Sequence, residues 1–242
     1  MGCKKTHNLI TNLLSSGDVN SLTKMIILNT IYFKAKWKYS FNKNDTYKEI
    51  FHSLSKDCQI EMMHKTHKYL YSEDNLTQYI QIPYINEKYA LIIALPRFNS
   101  NDISRSIVSL QANMSQPGSF WTHQFMSEKV SLSIPKFTHR QKLSLVKVLK
   151  NLGVNDAFTG KADFSIMSPD APIQISDVIH EAIVKIDEEG TEATAATAVT
   201  MRYFSAITDS EKIIDFHANH TFYYAIVSIP EKLILFNGVF DN

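Results

Sequence analysis

The sequence predicts an α+β protein in which strands outnumber helices. Most apolar segments are short, rich in β-branched and aromatic residues, and bounded by proline, glycine or polar clusters, which is typical of strands. Strands and helices do not alternate regularly, so a doubly wound sheet is not expected. The 242 residues, 44% of them apolar, contain no repeat and no Pro/Gly-rich linker. We therefore expect one domain over residues 1–242.

The first predicted elements along the chain are strands. Met25–Phe33 (MIILNTIYF) is a continuous apolar run that predicts a buried strand. Shorter strands are expected at Glu61–Met63 and Tyr79–Pro83. Tyr89–Leu95 (YALIIAL) predicts a second strong strand, which ends at Pro96.

Helical spacing appears in only two places. Ile103–Leu110 is predicted to be a helix. Lys129–Ile134 alternates apolar and polar residues, as a half-buried strand does, and Pro135 ends it. Leu143–Asn151 then returns to helical spacing. The apolar face expected of that second helix consists of Leu145, Val148, Leu149 and Leu152, with Gly153 as its stop.

The C-terminal part is again predicted to be strands. Ile179–Ile186 is strand-like. Phe222–Ile229 and Lys232–Gly238 are expected to form a hairpin around a Pro-Glu turn.

Missing motifs exclude several kinds of functional site. No GxGxxG, GxxxxGK[ST] or GxSxG pattern occurs, so neither a phosphate-binding loop nor a nucleophile elbow is predicted. His180 begins an HExxH pattern, but Val184 stands where the second histidine belongs. Two pairs of histidines three residues apart have no further ligand at suitable spacing, so no metal or cofactor is predicted. Scattered basic residues and a net charge of +1 predict no nucleic-acid partner.

The N-terminus leaves the compartment open between two readings. No apolar run is long enough for a membrane span or a secretory signal, so the cytoplasm is the default location, with secretion or membrane tethering as the alternative. Gly2 with Thr6 fits the myristoylation pattern and Cys3 could be palmitoylated, although so short a pattern also arises by chance. Cys3 and Cys58 are compatible with one bridge or with two free thiols.

Asp187–Ala198 (DEEGTEATAATA) is the segment on which the functional argument depends. Gly190 offers a hinge with unrestricted backbone angles. Composition alone fits a flexible linker at least as well as a strand. As a strand, the segment could slide between two existing strands, because one face carries only small, uncharged side chains. That face consists of Thr191, Ala193, Ala195, Thr197 and Val199.

The same segment resembles the hinge of the reactive-centre loop in inhibitory serpins: an acidic pair, Gly, Thr, Glu and then small residues. Further resemblances follow in the order expected for the family and cover nearly all of residues 9–240. They are LNTIYFKAKWKYSF (28–41), SIPKFT (133–138), LKNLGVNDAFTGKADFSIMS (149–168), FHANHTFYYAI (216–226) and LFNGVF (235–240). The resemblance implies a serpin-like fold of several mostly antiparallel or mixed sheets with few helices, and an exposed reactive-centre loop at about 188–210.

The resemblance also implies a function. A serpin is not an enzyme and needs no cofactor: a serine protease attacks the loop, which then inserts as a new central strand and traps the protease. Counting fourteen residues on from Gly190 places the reactive bond at Phe204–Ser205. An aromatic bait suits a chymotrypsin-like protease; if the register differs, Arg202 is the bait for a trypsin-like enzyme.

Hinge and gate residues follow from the same resemblance. The hinge consists of Glu188, Glu189, Gly190, Thr191, Glu192, Ala193, Thr194, Ala195, Ala196 and Thr197. Lys136 matches a lysine that pairs with Glu188, and His180 matches a histidine that closes the gap where the loop inserts. Trp37 belongs to the third strand of the large sheet. Two solvated charges and an ordinary core histidine are the alternative explanations of Lys136, Glu188 and His180.

The sequence departs from the family pattern in length. The family's N-terminal helices and two strands of its large sheet have no counterpart, so we expect a truncated serpin whose strand at Met25–Phe33 has a bare edge and uncovered apolar surface. The alternative function is therefore a non-inhibitory or degenerate remnant that acts as an interaction protein. A Lys/Asn/Ile-rich composition resembles that of AT-rich genomes such as those of poxviruses, which predicts a viral modulator of host proteases in the host-cell cytoplasm.

Overall fold

The computed structural model describes residues 14–15, 17–97, 103–114, 123–170, 172–191 and 212–242. Strands predominate over helices in these residues, as the sequence predicts. The strands are β1 Met25–Tyr32, β2 Ala35–Lys36, β3 Thr46–Phe51, β4 Cys58–Glu73, β5 Thr77–Pro83, β6 Tyr89–Pro96, β7 Met126–Pro135, β8 Phe137–Ser144, β9 Ile175–Asp187, β10 Gly190–Thr191, β11 Ile214–His217, β12 Phe222–Ser228 and β13 Leu233–Phe240. The α-helices are α1 Ile103–Met114 and α2 Val146–Asn151, and short 3-10 turns lie at Lys43–Asp45 and Asp156–Phe158.

The chain divides into two compact units. The first draws its described residues from Met1–Phe33 and His139–Val184, and the second from Lys34–Thr138 and Lys185–Asn242. That one domain contains both units stays a prediction.

The first unit is built on a parallel pair of strands. β1 pairs with β9 from Met25↔Ile175 to Tyr32↔Ile183, and β8 also pairs with β9. Over these residues β1 and β9 therefore pair directly with each other. Within the described ranges β1 has no second partner, and its side chains Ile27, Leu28 and Ile31 are exposed.

The helix α2 corrects the prediction for Leu143–Asn151. The strand β8 runs to Ser144, and the Leu145 amide donates to the Val178 carbonyl at 2.8 Å, so the helix begins only at Val146. Leu145 and Leu149 pack against the small apolar cluster under β9, as expected. Val148 and Leu152 are exposed instead, because six residues of helix make less than two turns and present only one narrow face.

The second unit contains an eight-stranded sheet. Its order is β11-β7-β4-β5-β6-β12-β13, with β3 beside β4. The strand predicted at Glu61–Met63 is only part of β4, which extends over 16 residues. β4 continues through a polar stretch because Met62–Tyr71 pairs with Met126–Pro135 of β7.

The core of the second unit lies on β6 and β12. These neighbouring strands are almost fully buried, and Leu110 and Met114 of α1 pack on them. Burial of each large apolar side chain contributes about 1.5–3 kcal/mol. The predicted C-terminal hairpin is present as β12 and β13, paired from Phe222↔Phe240 to Ser228↔Leu233. Tyr84, directly after β5 of this sheet, contacts Thr191 in the segment that follows β9.

Candidate functional site

The predicted hinge begins in the second unit, where β9 ends in a tight turn. The Asp187 carboxylate accepts hydrogen bonds from the backbone amides of Glu189 at 3.1 Å and Gly190 at 3.2 Å. An aspartate that bonds to amides two and three residues on is typical of turns. The chain then reverses, so that β10 pairs antiparallel with the end of β9, Gly190 with Asp187 and Thr191 with Ile186.

The strand β10 has a second partner on its other side. Gly190 pairs with Lys36 and Thr191 with Ala35, both in antiparallel register with β2. The first two residues after the turn are therefore an interior strand between β9 and β2. Thr191 is fully buried, and its Oγ1 lies 2.8 Å from the Tyr84 hydroxyl.

Gly190 is required by this close approach of the strands. Its φ of +148° lies in a region that L side chains rarely adopt. A Cβ here would lie 2.2 Å from the Ala35 carbonyl oxygen and 2.7 Å from the Lys36 Cα. Any other residue would push β10 away from β2.

Trp37 packs beneath the turn. Its indole stacks on the Tyr84 ring at 4.6 Å between centroids and 11° between planes. The indole Nε1 donates to the Asp187 carbonyl at 2.8 Å, and the Trp37 amide donates to the Glu189 carbonyl at 2.9 Å. Burial raises the pKa of the Tyr84 phenol, so the hydroxyl beside Thr191 is neutral.

Glu188 and Lys136 come together at the base of the hinge. Lys136 Nζ lies 3.3 Å from Glu188 Oε1 and 3.8 Å from Glu61 Oε2. The Glu188 side chain is 6% exposed. Burial would raise the pKa of this carboxyl, but a hydrogen bond from its own backbone amide and the Lys136 ammonium outweigh burial and lower the pKa. The carboxylate is therefore charged and partnered.

His180 lies on β9 in the first unit, at the position that pairs with Asn29 of β1. Its Nδ1 lies 3.2 Å from the Asn29 side-chain nitrogen. The pair links the two strands that the predicted insertion must separate. The roles of His180, Trp37 and Lys136 as gate residues stay predictions.

Several predicted site residues lie outside the described residues. They are Glu192, Ala193, Thr194, Ala195, Ala196 and Thr197 of the hinge, the reactive bond Phe204–Ser205 with its alternative Arg202, and the lipidation candidates Gly2 and Cys3.

Sequence reasoning missed two residues of this site. Asp187 had a local signal, because an aspartate at the start of an acidic turn ending in glycine favours this geometry. Tyr84 had no local signal, since its partner Thr191 is 107 residues away along the chain.

Other kinds of site find no support in the described part of the chain. No group of three or more His, Cys, Asp or Glu side chains is arranged there to hold a metal ion. Among the helices that the structure describes, none has the length and apolarity to cross a membrane. Cys58 carries a free thiol.

Comparison with known proteins gives one consistent family. A family model described as "Serpin (serine protease inhibitor)" matches residues 3–242. An uncharacterised serpin-like protein of Acanthamoeba polyphaga mimivirus is 35% identical over 98% of this chain and 59% of its own length. Serpin B6 of Pongo abelii is 34% identical over 99% of this chain and 63% of its own length.

Solved structures agree. Serpin48 of the insect Tenebrio molitor superposes with a TM-score of 0.76 at 29% identity, covering 98% of this chain and 61% of its own. A serpin of the trematode Schistosoma haematobium gives 0.78 at 25% identity, covering 99% and 60%. The predicted strand-dominated α+β fold is confirmed, and the chain spans about three fifths of the length of these relatives.

Proposed function

The chain belongs to the serpin family, and from that premise we propose that it inhibits a serine protease by offering residues 188–210 as bait. It contributes no catalytic group: the protease supplies its own nucleophile and is held at the acyl-enzyme stage when the cleaved loop inserts.

The observation that carries this proposal is β10. Gly190 and Thr191 already lie between two strands, antiparallel to both. The turn at Asp187 directs the chain back along β9, so residues that continue β10 in the same register would run beside β9. Small side chains from Ala193 to Thr197 suit such an interior strand.

Pairing geometry supplies the driving force. β1 and β9 are now paired in parallel over eight residues of β1. Insertion replaces this one parallel ladder with two antiparallel ladders, one on each side of the new strand. Antiparallel pairing is slightly more stable per residue, and the inserted strand gains bonds on both edges. Each ladder bond contributes about 0.5–1.5 kcal/mol.

The proposed target is a chymotrypsin-like protease. Phe204 as bait fills a hydrophobic specificity pocket, whereas Arg202 would fit a pocket with an acidic base. Incubation with chymotrypsin, and separately with trypsin, distinguishes the two residues. We expect an SDS-stable complex with chymotrypsin that Phe204→Ala abolishes.

A hinge variant tests trapping apart from recognition. Thr191→Arg places a charged side chain where Thr191 is fully buried beside Tyr84. We expect chymotrypsin to cleave this variant after Phe204 without forming a stable complex. If Thr191→Arg traps as well as the parent, insertion is not the trapping step.

A non-inhibitory protein is the second candidate. β1 has one partner in the part of the chain that the structure describes, and three of its apolar side chains are exposed. A strand without support on its second edge favours aggregation or an interaction role over controlled opening. Clean cleavage of the unmodified chain, with no complex at any protease ratio, supports this candidate.

The viral source and the host-cell cytoplasm also stay predictions. A mimiviral relative is compatible with a viral source, but relatives from animals are similarly close. Labelled myristate incorporation that is lost in Gly2→Ala would support membrane tethering, and an unlabelled parent chain would end that alternative.

A further inference from the structure

Two histidines of the second unit share one carboxylate. Glu49 on β3 places Oε2 at 2.7 Å from His217 Nε2, on β11, and Oε1 at 3.2 Å from His64 Nε2, on β4. These three side chains are between 20% and 36% exposed. One acidic group therefore faces two imidazoles from two different strands.

His64 is held in place on its other sides. Its Nδ1 lies 2.9 Å from Ser133 Oγ on β7, and the Tyr47 ring stacks on it at 4.2 Å. The Nε2 is buried and, in the described residues, makes no hydrogen bond of acceptable geometry, although Glu49 is close. A polar ladder of side chains, Ser133–His64–Glu49–His217, therefore joins β7, β4, β3 and β11.

The strand β11 is a short strand at one end of its sheet. It has four residues, pairs along its backbone with β7 and buries the Phe216 side chain fully. In the described residues two side-chain contacts also tie β11 to its neighbours, Glu49 to His217 and Gln78 Nε2 to the Asp215 carbonyl at 3.1 Å. β11 is also the first described strand after residues 192–211, which contain the proposed bait.

More histidines surround the same end of β11. A cavity of about 400 Å³ is lined by His52, His217 and His220, together with Arg97 and Asp215. His220 Nε2 lies 2.7 Å from the Pro96 carbonyl, and His52 Nδ1 lies 3.1 Å from Asp57. Two further titratable groups lie beside the ladder itself, Asp45 and Tyr47. The cavity next to it is lined by His52, Arg97, Asp215, His217 and His220, where Asp57 contacts His52 and Glu73 contacts Arg97.

Protonation disturbs this arrangement. Burial lowers the pKa of His64; Glu49 opposes that shift and His217 adds to it. Burial also lowers the pKa of His220, which lies near His52 and His217. At neutral pH Glu49 accepts from one neutral imidazole. One imidazolium beside Glu49 would form an ion pair, whereas two imidazoliums beside this one carboxylate leave a net positive charge, and uncompensated charge in a half-buried place is costly.

We propose that the ladder Glu49–His64–His217 is an acid-sensitive latch that holds β11 at neutral pH and releases it when both imidazoles are protonated. Given the proposed function, release would detach the first described strand that follows the bait segment. The latch itself does not depend on any protease.

Hydrogen exchange of the β11 amides tests the latch directly. The full chain is compared at about pH 7.5 and about pH 5.5, on either side of the ordinary histidine pKa. Rates are corrected for intrinsic chemistry, and β12 serves as the internal reference. We expect protection of Ile214–His217 to fall relative to β12 in acid, by about tenfold for each pKa unit by which the imidazoles differ between the held and the released strand.

Three variants decide whether the ladder is responsible. His64→Gln and His217→Gln each leave Glu49 at most one cation, so both should keep β11 protected at about pH 5.5. His67→Gln is the matched control, because His67 lies on the same strand but stacks on Tyr39 outside the ladder. In His67→Gln the β11 amides should lose protection at about pH 5.5, as they do in the parent chain.

The latch is wrong if acid lowers the protection of β11 equally in all three variants, or if acid does not lower it in the parent chain. Because the readout involves no protease, the latch can fail while the proposed inhibition holds, and inhibition can fail while the latch holds.

Discussion

At Gly190, the backbone angle and the close approach of a neighbouring strand both disfavour any other residue. Its φ of +148° and the Ala35 carbonyl 2.2 Å from a would-be Cβ act together. The two constraints are independent, since one concerns local backbone strain and the other the approach of β2. The second arises because β10 pairs with β2 as well as with β9.

Replacing Gly190 with Ala should lower the free energy of unfolding by about 1–3 kcal/mol, from strain and loss of the β2–β10 pairing. Urea unfolding measures the change. Gly160→Ala is the matched control, because nothing lies within 4 Å of a Cβ there; its effect should stay within about 0.5 kcal/mol. Equal effects at the two positions would contradict the close approach.

The Glu188–Lys136 pair makes a pH-dependent contribution. The folded-state pKa of Glu188 lies below the ordinary value of 4.5, so the unfolded chain binds the proton more readily. The contribution is therefore present above pH 4.5 and is lost as pH falls through the lowered pKa.

Glu188→Gln should reduce the free energy of unfolding by about 1 kcal/mol at neutral pH. The difference should shrink in acid as the parent carboxylate is protonated. Glu87→Gln is the control: Glu87 pairs with Lys38 at 2.8 Å but is 62% exposed, so its change should be near zero. A pH-independent difference at Glu188 would refute the charge pairing.

At the scale of elements, β1 is the end strand of its sheet among the strands that the structure describes, and several of its apolar side chains are exposed. Because side chains alternate along a strand, Ile27 and Ile31 lie on one face of β1 and Leu28 lies on the other. An edge with unpaired backbone groups and exposed apolar side chains is a template for association.

Ile31→Lys should slow self-association of the chain, because a charge on an edge strand opposes pairing with another copy. Light scattering at raised temperature follows this process. Leu22→Lys is the control, since Leu22 is 81% exposed but lies outside any strand. If both variants slow aggregation equally, net charge rather than the β1 edge is responsible.

The elements differ in how far the sequence predicts them. β1, β6 and β12 are continuous apolar runs and were predicted close to their observed bounds. Polar residues make up half of β3 and most of β8, so backbone pairing with a neighbour decides their conformation, and local pattern does not predict them. β2, β10 and β11 have two to four residues, too few for any periodic signal.

The candidate site also contains some residues that the sequence predicts and others that it does not. Glu188, Gly190, Lys136 and Trp37 were named through a family resemblance, and the structure brings them into one region of the second unit. Long-range partners such as Tyr84 leave no trace in local sequence, because a buried tyrosine predicts only that some hydrogen-bond partner exists.

For the whole molecule, buried histidines predict acid sensitivity. Burial lowers the pKa of His64, His123, His139 and His220 from the ordinary 6.5. In the unfolded chain each histidine pKa returns to its ordinary value of 6.5. Near and below that pH the unfolded chain therefore binds more protons than the folded chain, and the free energy of unfolding falls as pH decreases.

The thermal midpoint should therefore be lower at about pH 5.5 than at about pH 7.5 when ionic strength is fixed. Both conditions lie above the range in which carboxylates titrate, so the histidines dominate the change. An unchanged or higher midpoint at the lower pH would contradict their burial.

Inhibition by insertion requires that the segment after Gly190 becomes an interior strand. Thermal unfolding of the chain before and after cleavage at Phe204 measures whether it does. About ten new ladder bonds of ~0.5–1.5 kcal/mol each, at ~2–4 °C per kcal/mol, should raise the midpoint by about 10–60 °C. A cleaved chain that melts at or below the temperature of the intact chain would show that the segment does not insert.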